Sequence, residues 1–293
     1  VKKYIQELKI GGILFTKGTA KAQAELTNYC QSLSKVPLMI TLDGEWGLSM
    51  RLTDTPKFPI NMTLGAIEND SLIYAYGKEV GRQCRRMGIH VNFAPVLDVN
   101  SNENNPVIGR RSFGESPEKV AHKAIAYARG LESEGVLSVG KHFPGHGDTS
   151  DDSHKTLPIV NQTRHHLEKF ELVPFKKYIN SGLGGLMVGH LNVPAFDNYS
   201  QLPASLSPAI TDTLLQQKMK FKGLVFTDAL EMKGASEFPN LAAKALLAGN
   251  DILLKPLSPI TKMDELLKAI DDGVIPHSLI EEKCLKVLRY KYI

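Results

Sequence analysis

Short apolar runs of β character alternate along the chain with stretches whose apolar residues recur at helical spacing. Val1, Tyr4, Ile5 and Leu8 open a helical pattern that Gly11-Gly12 breaks, and Ile13–Phe15 follows as a short buried strand. Helical residues 19–34 lead to a second strand over 37–43. Residues 70–87 set Ile73, Tyr76, Val80, Cys84 and Met87 on one face and stop at Gly88, before a third strand over 90–98. Ser116-Pro117 has the chemistry of a helix start, and Val120, Ala124, Tyr127, Ala128 and Leu131 form the apolar face behind it. A fourth strand is predicted over 136–141, a helical region over 163–181 and a fifth strand over 185–190. A helix from Ser207-Pro208 to about Phe221, a sixth strand over 223–228, a helix over 239–249 and a seventh strand over 251–255 come next. Two helices close the chain, the second with a capping box from Ser278 and Glu281.

Strands that are apolar on both faces belong in a parallel sheet covered by helices. No Gly-x-Gly-x-x-Gly turn follows the first strands, so a dinucleotide fold loses support. What does recur is a polar residue at each strand end: Asp43, Asp98, Lys141-His142, His190, Asp228 and Lys255. That layout predicts an α/β fold of the (β/α)8 TIM-like barrel class, whose reactive groups collect at the strand C-termini. Seven strands are one short. The chain begins with valine inside a helical pattern, so the first barrel strand is expected before residue 1. No linker or composition shift divides residues 1–293, which read as one domain.

Composition narrows the function classes. The net charge of +4 is small and the basic residues are scattered, which argues against a nucleic-acid partner. No apolar run approaches the ~18 residues that a membrane span needs. The three cysteines, Cys30, Cys84 and Cys284, make neither a disulfide framework nor a metal motif, and Cys84 and Cys284 occupy apolar positions expected to be buried.

Candidate chemistry concentrates in residues 140–158, which hold His142, His146, His154, Asp148, Asp151, Asp152 and Lys141 at the end of an apolar run. Asp152 could hold one nitrogen of the His154 imidazole and leave the other to exchange protons with a substrate, although two surface loop residues would look the same. His142, His146, Asp148 and His154 could instead ligate zinc or another metal, but their spacing lacks the i, i+4 geometry of a helical site. Asp228 at a strand end faces a barrel mouth as nucleophile, base or ligand, or else serves as a helix N-cap. Arg51, Arg110 and Arg111 could bind hydroxyls or carboxylates, or make surface salt bridges. Trp46, beside Asp43 and Glu45, could shape a sugar site or lie in the core.

The run Lys-His-Phe-Pro-Gly-His-Gly-Asp-Thr from Lys141, with Asp152-Ser-His154 just after it, resembles the bacterial β-N-acetylglucosaminidases of glycoside hydrolase family 3. Leu42-Asp-Gly-Glu-Trp-Gly47, Asn92-Phe-Ala-Pro-Val-Leu-Asp98, Gly109-Arg-Arg-Ser-Phe-Gly114 and the stretch from Gly223 to Met232 are similar to further family motifs, in family order. The resemblance implies a retaining glycosidase on a (β/α)8 barrel that needs no cofactor or metal. It implies Asp228 as nucleophile, His154 as acid/base oriented by Asp152, and Asp43, Arg51, Arg111, Lys141 and His142 as the residues that grip the sugar. The substrate implied is a terminal β-linked N-acetylglucosaminide, as in peptidoglycan fragments.

Three departures stand out. Asp-Gly-Glu-Trp-Gly replaces the usual Asp-Gln-Glu-Gly-Gly, which is expected to alter one wall of the site. The first barrel strand is missing, which gives weight to a non-catalytic sugar-binding barrel as the alternative. The chain also resembles a Bacteroidetes-type subgroup with an additional C-terminal domain in the full-length protein. A bacterial periplasmic or cell-envelope location is expected over the cytoplasm.

Overall fold

The computed structural model describes residues 1–149 and 156–292. Six parallel strands hydrogen-bond to one another in chain order. They are β1 (Gly12–Phe15), β2 (Met39–Leu42), β3 (Val91–Asn92), β4 (Leu137–Phe143), β5 (Gly185–Val188) and β6 (Leu224–Thr227). Helices cross between them, so the sheet curls as an α/β half-barrel with all strand C-termini at one end.

Two strands differ from expectation. The third is cut to two residues because Pro95 has no N–H to give the ladder; pairing resumes only at a single bridge from Val96 to Lys141. The seventh, 251–255, lies beside β6 through one bridge, Phe226 to Ile252. Its ladder stops there because the N–H of Leu254 donates to the Thr227 hydroxyl (2.9 Å) and Lys255 takes a φ of 46°.

Local signals account for the principal helices. Asn69 caps the helix Asp70–Arg86 by accepting from Ser71 N. Gly88, at φ 68°, ends it with paired bonds from Gly88 N to Arg85 O and from Ile89 N to Cys84 O. Ile73, Val80 and Cys84 are fully buried on its inner face, against Val120, Ala124, Tyr127 and Leu131 of the helix Pro117–Glu132. These two helices touch backbone to backbone through Gly77 and Gly130. A Cβ at Gly130 would stand 2.3 Å from the Tyr74 carbonyl oxygen.

The capping box at Ser278 does not form. The last helix, His277–Lys291, takes Pro276 as its N-cap, which puts Ser278 inside the first turn. Ser116 occupies the N-cap before Pro117, but its side chain makes no capping bond. The segment after Pro208 is wound as a π-helix over Ala209–Lys218, with Met219 N bonded to Leu214 O.

The barrel interior is filled by Met39, Val91, Phe93, Val139, Met187, Leu224 and Phe226, and the last helix adds Val287 and Tyr290 from below. This helix also ties the two edges of the half-barrel. Lys291 Nζ donates to Gly11 O (2.7 Å) and Pro37 O (2.9 Å) at the β1–β2 side. Lys283 and Lys286 reach Asp251 beside β6 at 2.9 and 2.6 Å. The gap expected from a short strand count is thus bridged at its lower end. Cys284 is one helical step, about 100°, round from buried Lys283 and is exposed, contrary to expectation; Cys30 and Cys84 are buried. Among the described residues no helix is long and apolar enough to cross a membrane.

The close helix pair generates a prediction. Gly130→Ala forces a methyl group into the Tyr74 carbonyl and should cost about 1–3 kcal/mol by urea unfolding. A loss below about 0.5 kcal/mol would show that the helices separate without penalty.

Candidate active site

The strand ends and the turns that follow them surround a cavity of about 310 Å³. Asp43 follows β2, Lys141 and His142 lie in β4, and Asp228 follows β6. Arg51 and Arg111 arrive from one-turn 3-10 segments, Leu48–Met50 and Gly109–Arg111. All six line the cavity. The six are scattered over nearly two hundred positions of sequence, and parallel strand order is what brings them to one end.

One wall is a network of ion pairs. Lys141 is 2% exposed and its ammonium bonds both Asp43 and Glu45, at 2.8 Å from Glu45 Oε1. Glu45 is fully buried and takes a two-pronged contact from Arg111, Nε to Oε2 at 3.0 Å and Nη2 to Oε1 at 2.7 Å. Arg51 donates to the Asp43 carboxylate and, through Nε, to the Asp43 carbonyl at 2.9 Å. Burial pushes the Glu45 carboxyl up, but Lys141 and Arg111 overcome it and hold the group below the ordinary carboxylate range. Burial likewise works against the Lys141 charge, and Asp43 and Glu45 outweigh it, leaving the ammonium above its usual value. Sequence reasoning noted Glu45 only in passing. Its signal was a second carboxylate two residues after Asp43.

A second cluster orients the histidines. Asp98, fully buried, accepts from His142 N (3.1 Å), from His146 N (2.7 Å) and from the His142 ring at Nδ1 (2.7 Å). Burial opposes the charge of Asp98, yet His142 and His146 keep its carboxyl below the ordinary value. An anionic acceptor at Nδ1 fixes the proton there and turns His142 Nε2 toward Arg111, 3.4 Å away. His146 is held down to about 4 by burial and by neighbouring His142, so its buried ring is neutral at pH 7. Asp98 was noted in the sequence as a strand-end group and not as a site residue.

Asp228 stands on the β6 side of the same cavity. Its Oδ1 accepts from Ala229 N at 2.7 Å. Burial raises its carboxyl, and His142, His190 and that N–H bring it below the ordinary value, so it is an anion at neutral pH. His190 Nε2 lies 3.0 Å from the Ala229 carbonyl, which can only accept, so this nitrogen carries the proton and braces the turn behind Asp228. Glu231 and Lys255 pair at 2.5 Å on the cavity rim.

Other candidates fall elsewhere. His154 and Asp152 lie outside the described residues. Arg110 is exposed and absent from the cavity wall, and Trp46 is half-buried and does not line the cavity, so the expected change of that wall does not come from the tryptophan. The metal-ligand alternative finds His142 committed to Asp98 and Asp148 accepting from Gln162 Nε2 at 2.7 Å. Among the described residues no group of three His, Cys, Asp or Glu side chains is placed to hold a metal ion.

Comparison with known proteins places the chain in a family. The N-terminal domain of glycosyl hydrolase family 3 matches residues 1–290. Beta-hexosaminidase A of Pseudoalteromonas piscicida is 35% identical over 97% of this chain and 52% of its own length. A beta-hexosaminidase of Nitrosomonas eutropha is 34% identical over 89% of this chain and 77% of its own. A solved family 3 beta-N-acetylglucosaminidase from Paenibacillus superposes with a TM-score of 0.94 at 37% identity, covering 99% of this chain and 58% of that one. Zinc-bound CbsA from Thermotoga neapolitana gives a TM-score of 0.90 at 32% identity over 99% of this chain and 64% of its own. The chain thus spans about half the length of the Pseudoalteromonas relative.

The charge network generates a prediction with a definite sign. The folded-state value of Glu45 is lowered from 4.5, so its contribution to stability is present above that pH and is lost as pH falls below it. Glu45→Gln should therefore destabilise the protein at pH 7 by about 3–5 kcal/mol, because Arg111 loses its carboxylate partner and buried Lys141 loses one of its two. The difference from the parent should shrink as urea unfolding is repeated at decreasing pH below about 4.5. A difference that stays constant with pH would remove Glu45 from the ionised network.

Proposed function

The chain belongs to glycosyl hydrolase family 3, and we propose that it releases terminal β-linked N-acetylglucosamine from amino-sugar glycans, peptidoglycan fragments among them, with retention of configuration. The observation that carries this reading is the cavity at the strand ends, with anionic Asp228 on one side and the Asp43, Arg51, Arg111, Lys141 and His142 network on the other. The names of the relatives, hexosaminidases and N-acetylglucosaminidases, support the sugar class.

In this mechanism the Asp228 carboxylate attacks the anomeric carbon as the bond to the leaving oxygen breaks, giving a covalent glycosyl-enzyme. His154, with Asp152 orienting its ring, gives its proton to the departing oxygen. A water then attacks the same carbon, passes its proton to His154, and frees Asp228 as the carboxylate. Histidine titrates near neutrality and can alternate between acid and base without a large shift. Asp43, Arg51, Arg111, Lys141 and His142 hold the sugar hydroxyls through charge-assisted hydrogen bonds, which favour the transition state where those bonds shorten. The ion pairs of the network hold these groups in place, so little reorganisation would accompany binding.

Two tests follow from these roles. On an aryl β-N-acetylglucosaminide, Asp228→Asn should lower turnover at least about 1,000-fold with an unchanged unfolding midpoint. His154→Ala should lose little in its first step on substrates with very good leaving groups, and much on poor ones. Equal loss across leaving groups would count against proton transfer, and sugar binding without release by the parent protein would favour a non-catalytic barrel. The zinc-bound Thermotoga relative motivates a third test. Activity should survive EDTA, and loss that zinc restores would replace the acid/base scheme with a metal-dependent one.

A further inference from the structure

Glu171 is a buried carboxyl that the mechanism above does not use. It lies just before the helix Leu172–Asn180, is 0% exposed, and receives no N–H bond from that helix start. Its Oε1 meets the Ser101 hydroxyl at 2.8 Å, and among the described residues its Oε2 has no hydrogen-bond partner. The turn after β4 rests on it. A Cβ at Gly145, where φ is 128°, would stand 3.0 Å from Glu171 Cβ and 3.1 Å from Oε2. Gly147 packs as closely on the other side, where a Cβ would fall 1.6 Å from Val99 O and 3.2 Å from the Ser101 hydroxyl. Glu171 is therefore wedged between the segment that runs on from Asp98 and the turn that carries His146, and Asp98 accepts from His146 N.

We propose that Glu171 is a positioning residue of this site: standing uncharged between the Asp98–Ser101 segment and the Pro144–Thr149 turn, it fixes where His146 meets the cavity. The uncharged state follows from its surroundings. The charged groups that act on it are Asp98, from the end of the β3 segment, and Asp148, from the turn, and both are negative. No lysine, arginine or charged histidine pairs with it among the described residues, and a buried carboxylate without a cation or N–H donors is costly. Burial, the larger cause, and these two carboxylates raise its carboxyl to about 8, against the opposing pull of the Ser101 hydroxyl. Ionisation would set a third negative charge against Asp98 and Asp148 with an oxygen facing Gly145 and no donor. The relief open to it is displacement of the turn.

The activity arm of the test rests on the reading given under Proposed function; the spectroscopic arm does not. The rate on an aryl β-N-acetylglucosaminide and the His146 imidazole signals in NMR would be followed from about pH 6 to 10 for the parent, Glu171→Gln and Ser101→Ala. In the parent, turnover should fall about tenfold per pH unit above about 8. The His146 signals should move with the same midpoint, although its own proton is lost near 4. Glu171→Gln, neutral at every pH, should keep turnover at pH 7 within about threefold and abolish both transitions. Ser101→Ala should move both midpoints upward, which decides the matter if Glu171→Gln does not fold. Superimposable rate profiles in parent and Glu171→Gln, or His146 signals that move identically in both, overturn the proposal. If no sugar is released from any substrate, the functional reading fails and the His146 signals alone decide the role of Glu171.

Discussion

The site depends on one buried contact, the Glu45 carboxylate held between the Lys141 ammonium and the Arg111 guanidinium. Removing these charges from water is costly, and the cost is met only where both oxygens of the carboxylate are bonded at close range. The contact joins β4 to the loop after β2 and to the Gly109–Arg111 turn, three pieces of chain that no secondary structure links directly. It also fixes the charge that a sugar would meet. Asp43 completes the Lys141 shell and is shared with Arg51, so the cations are held at the wall and do not fold back over Asp228.

Asp228 stays ionised by a different arrangement. Among the described residues no lysine or arginine pairs with it directly; His142, His190 and the Ala229 N–H outweigh its burial from several sides. A tight ion pair would have covered the carboxylate, whereas this looser surround leaves it on the cavity wall. The same histidine links the two clusters, since His142 is oriented by Asp98 and its Nε2 lies 3.4 Å from Arg111. Substitutions at Asp98 therefore couple to both halves of the site.

The support under this chemistry is the filled interior of the half-barrel. Phe93 and Phe226 meet edge to face at 5.4 Å, and Val287 and Tyr290 plug the lower end. With the last helix bonded to both Gly11 and Asp251, the half-barrel has its lower rim clasped, and the strand ends above keep a fixed separation. The close-packed glycines at positions 77 and 130 serve the same end on the outer layer.

The alternation of two-faced apolar strands with amphipathic helices was legible in the chain, as were the polar strand ends, because period and burial are written locally in residue type. So were the stops at Gly88 and the buried faces of the two long helices. The sequence could not show that Pro95 shortens β3 or that a Thr227 hydroxyl ends the ladder at 251–255, since both depend on what lies opposite in the sheet. It misjudged Cys284 because an apolar position on a helix is buried only if something covers that face. Asp43, Arg51, Arg111, Lys141, His142 and Asp228 were named from motif and position, and folding alone gathers them around one cavity. Glu45, Asp98 and Glu171 escaped because a carboxylate's role is set by its neighbours: two cations, two histidines, or none. Residue order determined which elements form; only the tertiary structure decided which charges meet, because that depends on distances between segments far apart along the chain.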